Sequence, residues 1–168
     1  MIKGVHTILF ILFITIILFS YCRNNNGSTK EIQDSYITKS VRQMLDSIAI
    51  DVSSDGPVAW LHYFENTPEF FMASDGQMNF QNNDSAKDLI NNSIIKQIAR
   101  IGLNWNNIRI DVLTGTYASI GSDFHEDIIY TAGNKSSVNG YFTALAHRSS
   151  RGWQLRNLHW SYKSEALK

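Results

Sequence analysis

The chain has 168 residues with a formal net charge of +0, and 43% of them are hydrophobic. This size and composition suffice for one domain with its own core, and the balanced charge offers no basic surface for nucleic acid. No long run of like charges is present, which argues against a charged interaction tail. We therefore expect no nucleic acid partner.

The first residues have the layout of a secretory signal peptide. Lys3 precedes an apolar run, residues 8–19, which is short of the roughly 20 residues that a membrane-spanning helix needs. A polar stretch follows at residues 23–28. These features predict a signal peptide over residues 1–21.

Cys22 is the only cysteine of the chain, and it lies between the apolar run and the polar stretch. A single cysteine cannot form an internal disulfide. Its placement resembles the lipidation site of bacterial lipoproteins, in which the cysteine becomes the acylated N-terminus. The resemblance implies a membrane anchor at Cys22, a flexible tether over residues 22–35, and a location in the cell envelope, outside the cytoplasm. Tyr21 stands where a small residue is usual, so a signal cleaved elsewhere or an uncleaved anchor are the alternatives.

Residues 36–163 are predicted to form one domain that starts with helices. Apolar residues recur at helical spacing from Ile37 to about Ser54, with Asp34 and Ser35 as candidate N-caps. A second, short helix is predicted after Pro57, and a third over residues 86–100. The apolar stripe of the first helix comprises Ile37, Val41, Met44, Leu45, Ile48 and Val52.

Strand signals dominate the second half of the chain. Asp75-Gly76 between two strand-like runs predicts a hairpin, and alternation from Trp105 onward predicts several antiparallel strands. Helices followed by strands indicate an α+β fold whose sheet curves around the helices and leaves a pocket. On the last strand, residues 153–162, one predicted face holds Leu155, Asn157, His159 and Ser161, and the other holds Arg156, Leu158, Trp160 and Tyr162.

The order and spacing of these features resemble the SnoaL-like members of the nuclear transport factor 2-like superfamily over residues 37–162. The features are Trp60 with Phe64, Phe71 before Asp75-Gly76, Gly140-Tyr141-Phe142-Thr143, Arg148, Gly152-Trp153 and His159-Trp160-Ser161. The resemblance implies a cone-shaped, cystatin-like α+β barrel, in which a strongly curved antiparallel sheet wraps around N-terminal helices. It also implies a homodimer through the outer face of the sheet. The superfamily includes ketosteroid isomerases, scytalone dehydratases and polyketide cyclases, but also pocket proteins without known chemistry, so the resemblance does not establish an enzyme.

Three residues are candidate proton carriers. Histidine side chains can serve as general acids or bases, so His159 is the first candidate, although a histidine on a central strand is often a hydrogen-bonded core residue. Glu126 would suit proton abstraction beside a carbonyl if it lay in the cavity, where burial raises the pKa of a carboxyl group; the ordinary alternative is an exposed strand edge. Asp75 is the third candidate, and turn geometry is its ordinary role.

Ligand contacts are predicted from residues expected near the pocket. Aromatic and hydroxyl side chains at such positions can donate hydrogen bonds to a ligand, or they can pack against the core without contacting a ligand. The spacing of the histidines fits no metal site, and no phosphate loop or dinucleotide fingerprint is present, so we expect neither a metal nor a cofactor. The predicted ligand-binding residues are Trp60, Tyr63, Tyr141, Thr143, His159 and Ser161.

Two functions remain open at the level of sequence. The first is a membrane-tethered pocket domain that binds a small apolar ligand or a protein partner without catalysis. The alternative is a small, cofactor-free lyase or isomerase, of the ketosteroid isomerase or polyketide cyclase type, that uses His159 and a carboxylate for proton transfer.

Overall fold

The computed structural model describes the backbone of residues 3–163 and the side chains of residues 29–163. The chain divides into two compact units, Met1–Tyr36 and Ile37–Lys168. Cys22 and the apolar run at residues 8–19 have no described side chains, so the signal peptide, the lipid anchor and the tether stay predictions. Within the part of the chain that is described, no helix is both long and apolar enough to cross a membrane.

Helix α1 (Lys3–Asp55) carries the helical side of the core. All six residues of its predicted apolar stripe are buried, and each such burial contributes roughly 2 kcal/mol. The indole N–H of Trp105 donates to the carbonyl oxygen of Leu45, and the backbone N–H of Leu103 donates to Ser53. The predicted N-caps, Asp34 and Ser35, lie inside α1, because the helix begins before them.

The next segment confirms the predicted short helix and hairpin. Gly56 has a φ of +77° and opens a 3-10 turn (Gly56–Ala59), which leads into α2 (Trp60–Tyr63). Strands β1 (Phe71–Ser74) and β2 (Gln77–Phe80) follow. Asp75 and Gly76 between them have φ values of 47° and 80°, and two such residues in a row favour the twist of a tight hairpin.

The third predicted helix begins and ends three residues earlier than expected. It consists of α3 (Asn83–Leu89), a π-helical turn (Ile90–Ile94) and α4 (Ile95–Gln97). The prediction that the helix continues to Arg100 is wrong, because β3 already begins at Ile98. The register shifts between Ile98 and Arg100. Because of this bulge, Ile98 and Ile101 face the same side of the strand although they are three residues apart, and this spacing resembles a helical repeat in the sequence.

Six strands form one curved sheet in the order β2-β1-β6-β5-β4-β3. The long strands are β3 (Ile98–Val112), β4 (Tyr117–Tyr130), β5 (Lys135–Ser149) and β6 (Gly152–Tyr162). The α+β class with a curved sheet is confirmed. One detail differs from the expectation of an antiparallel sheet: β1 pairs with β6 in parallel, which the long connection between the two strands permits.

The last strand contains a bulge that the sequence pattern did not indicate. Leu145 pairs with Asn157 while Ala146 pairs with Leu155, so Arg156 is an extra residue in β6. A bulge reverses the alternation of side chains beyond it. Leu155 is therefore buried on the inner face together with Leu158 and Trp160, rather than sharing a face with Asn157 as predicted.

Candidate functional site

A cavity of about 150 Å³ lies between the inner face of the sheet and the helical segments after α1. Its lining side chains are apolar except for the carboxyl group of Glu126, the phenol of Tyr162 and the indole N–H groups of Trp60 and Trp160. The π-helical turn contributes Ile90 and Ile94, and such turns are frequent at functional sites. The lining residues are Pro57, Trp60, Phe64, Met72, Phe80, Ile90, Ile94, Ile98, Ile101, Glu126, Ile128, Leu158, Trp160 and Tyr162.

Glu126 is brought into this cavity by the alternation of β4. Ile120 and Phe124 are buried on the inner face, and a strand turns every second side chain to the same side. Glu126 therefore points inward and is only 4% exposed, while His125 and Asp127 on either side of it contact each other away from the cavity lining. The packing of Phe124 thus fixes the position of a carboxyl group in an apolar surrounding.

Burial dominates the electrostatics of this carboxyl group. It raises the pKa of Glu126 to about 7, while the nearby His125 lowers it by a smaller amount. None of the described residues donates a hydrogen bond to the Glu126 carboxyl group. Burial also raises the pKa of Tyr162 to about 12, and the negative charges of Glu126 and Asp75 add to that shift. The cavity therefore holds a carboxyl group that is half ionised near neutral pH and a phenol that stays protonated.

Aromatic rings surround the polar groups. Trp60 stacks on Phe64 with ring centroids 5.8 Å apart and meets Trp160 edge-on at 5.6 Å. The indole N–H of Trp160 is buried and, within the described part of the chain, has no hydrogen-bond partner. Since buried polar groups are normally paired, Glu126 and Trp160 leave unused hydrogen-bonding capacity beside a cavity of ligand size.

His159 does not lie in the cavity. It pairs with Thr143 and Ala73 on neighbouring strands, and its side chain is exposed. The inner face of β6 is occupied by Leu158 and Trp160, so the residue between them must point outward. His159 and Thr143 therefore lie outside the cavity that Glu126 lines, contrary to the expectation that the proton carriers converge there, and a ligand contact through either residue stays a prediction.

The other predicted site residues are dispersed. Trp60 lines the cavity, whereas the hydroxyl group of Tyr63 donates to Asp51 on α1. Tyr141 and Ser161 border a separate groove on the outer face. Asp75 serves the hairpin turn, where its carboxylate accepts a hydrogen bond from the backbone N–H of residue 162. Of the predicted set, the structure brings only Trp60 and Glu126 together.

A second polar cluster, which the sequence did not indicate, surrounds Glu65. Its carboxylate is buried and contacts Nδ1 of His147 at 2.6 Å and Nη1 of Arg156 at 3.1 Å. The ring of His147 stacks on Tyr117 with centroids 4.4 Å apart. The bulge at Arg156 makes this contact geometrically accessible, and the cluster ties the segment after α2 to β5 and β6. We interpret it as structural. Within the described residues, no three His, Cys, Asp or Glu side chains converge in a way that would hold a metal ion.

Solved structures share this architecture at low sequence identity. A nuclear transport factor 2-like superfamily protein from Salmonella enterica serovar Typhimurium aligns with a TM-score of 0.63 and 15% identity, covering 82% of this chain and 95% of that one. The chain has the nuclear transport factor 2-like fold. No protein-family model matches the sequence, and no curated protein sequence matches it.

Two further structures with the nuclear transport factor 2-like fold come from enzymes or assigned enzymes. A protein assigned as a scytalone dehydratase from Novosphingobium aromaticivorans has a TM-score of 0.68 and 13% identity, covering 79% of this chain and 87% of that one. A hexachlorocyclohexane dehydrochlorinase from Novosphingobium barchaimii has a TM-score of 0.65 and 12% identity, covering 80% and 91%. The TM-scores establish the shared fold. Because the sequence identities are so low, the site must be interpreted from its own residues.

The sequence contained a usable signal for part of this site. From Ala118 to Ile128, every second residue of β4 faces inward, and Glu126 falls on that series. Glu126 therefore lies on the inner face of one continuous strand and not at an exposed strand edge. Tyr162 lines the cavity with the same parity as Leu158 and Trp160, but it was not among the predicted ligand contacts.

Proposed function

We propose that the domain over residues 37–163 binds a small, mainly apolar molecule in the cavity beside Glu126. The observation that carries this proposal is the combination of an apolar cavity of about 150 Å³ with a buried, unpaired carboxyl group in its wall. Ligand sites are typically apolar pockets with a few polar groups that fix orientation. The similarity to solved structures supports the fold of the domain, and the proposal of ligand binding rests on the cavity itself.

Binding to the cavity is testable with benzyl alcohol as a neutral probe. Trp60 and Trp160 line the cavity, so their fluorescence should respond to an occupant. We expect saturable binding with a Kd of about 1 mM or below, which corresponds to roughly −4 kcal/mol, a reasonable value for so few atoms. The measurement is a fluorescence titration, with chemical-shift changes of the cavity isoleucine methyl groups as the site-specific readout.

Two neighbouring tryptophan substitutions separate cavity binding from surface binding. Ile94 lines the cavity, so Ile94→Trp should fill it and weaken benzyl alcohol binding at least tenfold. Ile95 is 41% exposed and does not line the cavity, so Ile95→Trp is the matched control and should leave the affinity unchanged. Equal affinities for the two variants, or no saturable binding to the unmodified protein, would refute the proposal.

Proton transfer is the second candidate function, and the environment of Glu126 favours it. A carboxyl group whose pKa lies near 7 is well matched to accept a proton at neutral pH. In this alternative, Glu126 is the base and His159 has no part, because His159 lies outside the cavity. Hydrogen–deuterium exchange at the carbon next to the carbonyl of a small cyclic ketone would reveal such activity, and Glu126→Gln should abolish it.

We also propose that the domain is held at a membrane through acylated Cys22 and faces the cell envelope outside the cytoplasm. The support is the position of Cys22 directly after the apolar run and before a polar stretch. Cells grown with a fatty-acid analogue should label the protein, and Cys22→Ser should remove the label and leave the precursor unprocessed. An unlabelled, soluble mature protein would contradict the anchor. Pairing of two chains through the outer sheet face stays a prediction.

A further inference from the structure

The wall of the cavity carries negative charge without a compensating cation. Glu126 is the one carboxyl group among the cavity-lining residues, and none of the lysines, arginines or histidines in the described part of the chain lines the cavity. Tyr162 is the other titratable lining residue. The side chain of His125, whose charge lowers the pKa of Glu126, contacts Asp127 and Asn139 and forms no ion pair with Glu126.

The rest of the wall suits a cation as well. Five aromatic residues line the cavity: Trp60, Phe64, Phe80, Trp160 and Tyr162. The face of an aromatic ring attracts a cation within about 6 Å of its centroid, and the attraction grows when the site excludes water. A carboxylate that is largely shielded from water gains from a partner of opposite charge, because an unpaired buried charge is costly.

We infer that the preferred occupant of the cavity is a small apolar amine in its protonated form, whose ammonium group pairs with the Glu126 carboxylate while its hydrocarbon part contacts the surrounding aromatic and aliphatic side chains. This inference rests on the proposed function and narrows it to one ligand class. It distinguishes the cavity from one that selects ketones or carboxylates, since a carboxylate ligand would face Glu126 without any cation to offset the repulsion.

Three probes of nearly equal shape separate this inference from cavity binding in general. Benzylamine, benzyl alcohol and benzoate differ mainly in the charge of one substituent. At pH 8 we expect benzylamine to bind at least tenfold more tightly than benzyl alcohol, and benzoate to bind most weakly. Calorimetric or fluorescence titrations give the three affinities, and the chemical shifts of the cavity methyl groups locate the probes.

The pH dependence supplies a second test. Only the ionised form of Glu126 pairs with an ammonium group, and with a pKa of about 7 roughly one tenth of the protein is competent at pH 6. The affinity for benzylamine should therefore fall about tenfold from pH 8 to pH 6, whereas the affinity for benzyl alcohol should not fall. In Glu126→Gln, benzylamine should lose its advantage over benzyl alcohol at pH 8, and its affinity should no longer fall between pH 8 and pH 6.

The outcomes distinguish the two levels of the proposal. If benzyl alcohol binds in the cavity and benzylamine binds no better, the inference of an amine ligand is wrong and the proposed pocket function stands. If none of the three probes binds in the cavity, both fail. If benzylamine keeps its advantage in Glu126→Gln, the preference arises elsewhere and the inference is likewise overturned.

Discussion

Replacing Gly140 by alanine is expected to lower the free energy of unfolding by about 3 kcal/mol, because the added methyl group has no room. Gly140 on β5 pairs with Phe124 on one side and Tyr162 on the other. A Cβ atom there would overlap the Phe124 ring and the backbone carbonyl oxygen of Ser161. The carbonyl belongs to the neighbouring strand and cannot rotate away as a flexible side chain would. Urea denaturation measures the loss, which corresponds to a fall in Tm of roughly 10 °C.

Gly102→Ala is the matched control for this prediction. Gly102 also lies within a strand, and neither glycine has the left-handed backbone that alanine would strain. A Cβ atom at Gly102 would meet only Asp127, at 3.9 Å, which is ordinary van der Waals contact. We expect this variant to be as stable as the unmodified protein or slightly more stable, because alanine restricts the unfolded chain. Equal stability of the two variants would contradict the described packing of Phe124.

Replacing Glu126 by glutamine is expected to remove a pH dependence of stability. In the folded state the pKa of Glu126 is about 7, above the ordinary value of 4.5 that applies when the chain is unfolded. Between these pH values the folded state holds more protons, so stability falls as the pH rises from about 4.5 to about 7 and stays low above that. The integrated loss is about 3 kcal/mol. Denaturation at a series of pH values should show this fall in the unmodified protein and a flatter profile in Glu126→Gln.

The pH profile needs a control because other groups titrate in the same range. Glu31→Gln makes the same chemical change at an exposed position on α1. Its profile should follow that of the unmodified protein, so the difference between the two variants isolates the contribution of Glu126. A Glu126→Gln profile that runs parallel to that of Glu31→Gln would mean that Glu126 ionises normally in the folded protein.

The helical stripe and the first hairpin were predictable because each depends on local physics. The six apolar residues of α1 recur with one clear period, and Asp75-Gly76 supplies the backbone conformations that a tight turn requires. The similarity of the last two strands to those of the nuclear transport factor 2-like superfamily likewise predicted the curved α+β architecture. These elements needed no information about which distant residues would come together.

Two β-bulges explain why the start of β3 and the inner face of β6 were not predictable from the sequence. Between Ile98 and Arg100, and again at Arg156, one extra residue in a strand shifts the alternation of side chains. Without knowledge of the partner strand, the first bulge resembles a helical repeat and the second places Leu155 on the wrong face. The position of His159 was not predictable for a different reason. The alternation of side chains around it was predicted correctly, but no local feature indicated that the face with Leu158 and Trp160 would be the inner one.

The ionisation of Glu126 tests most directly whether this carboxyl group lies unpaired in an apolar cavity. Carbon-13 labelling of glutamate side chains allows the Glu126 carboxyl resonance to be assigned by its loss in Glu126→Gln and followed from pH 4 to pH 9. A midpoint near 7 is the predicted result. A midpoint near the ordinary value of 4.5 would show a solvated or paired carboxylate and would contradict the description of the site on which the proposed ligand binding rests.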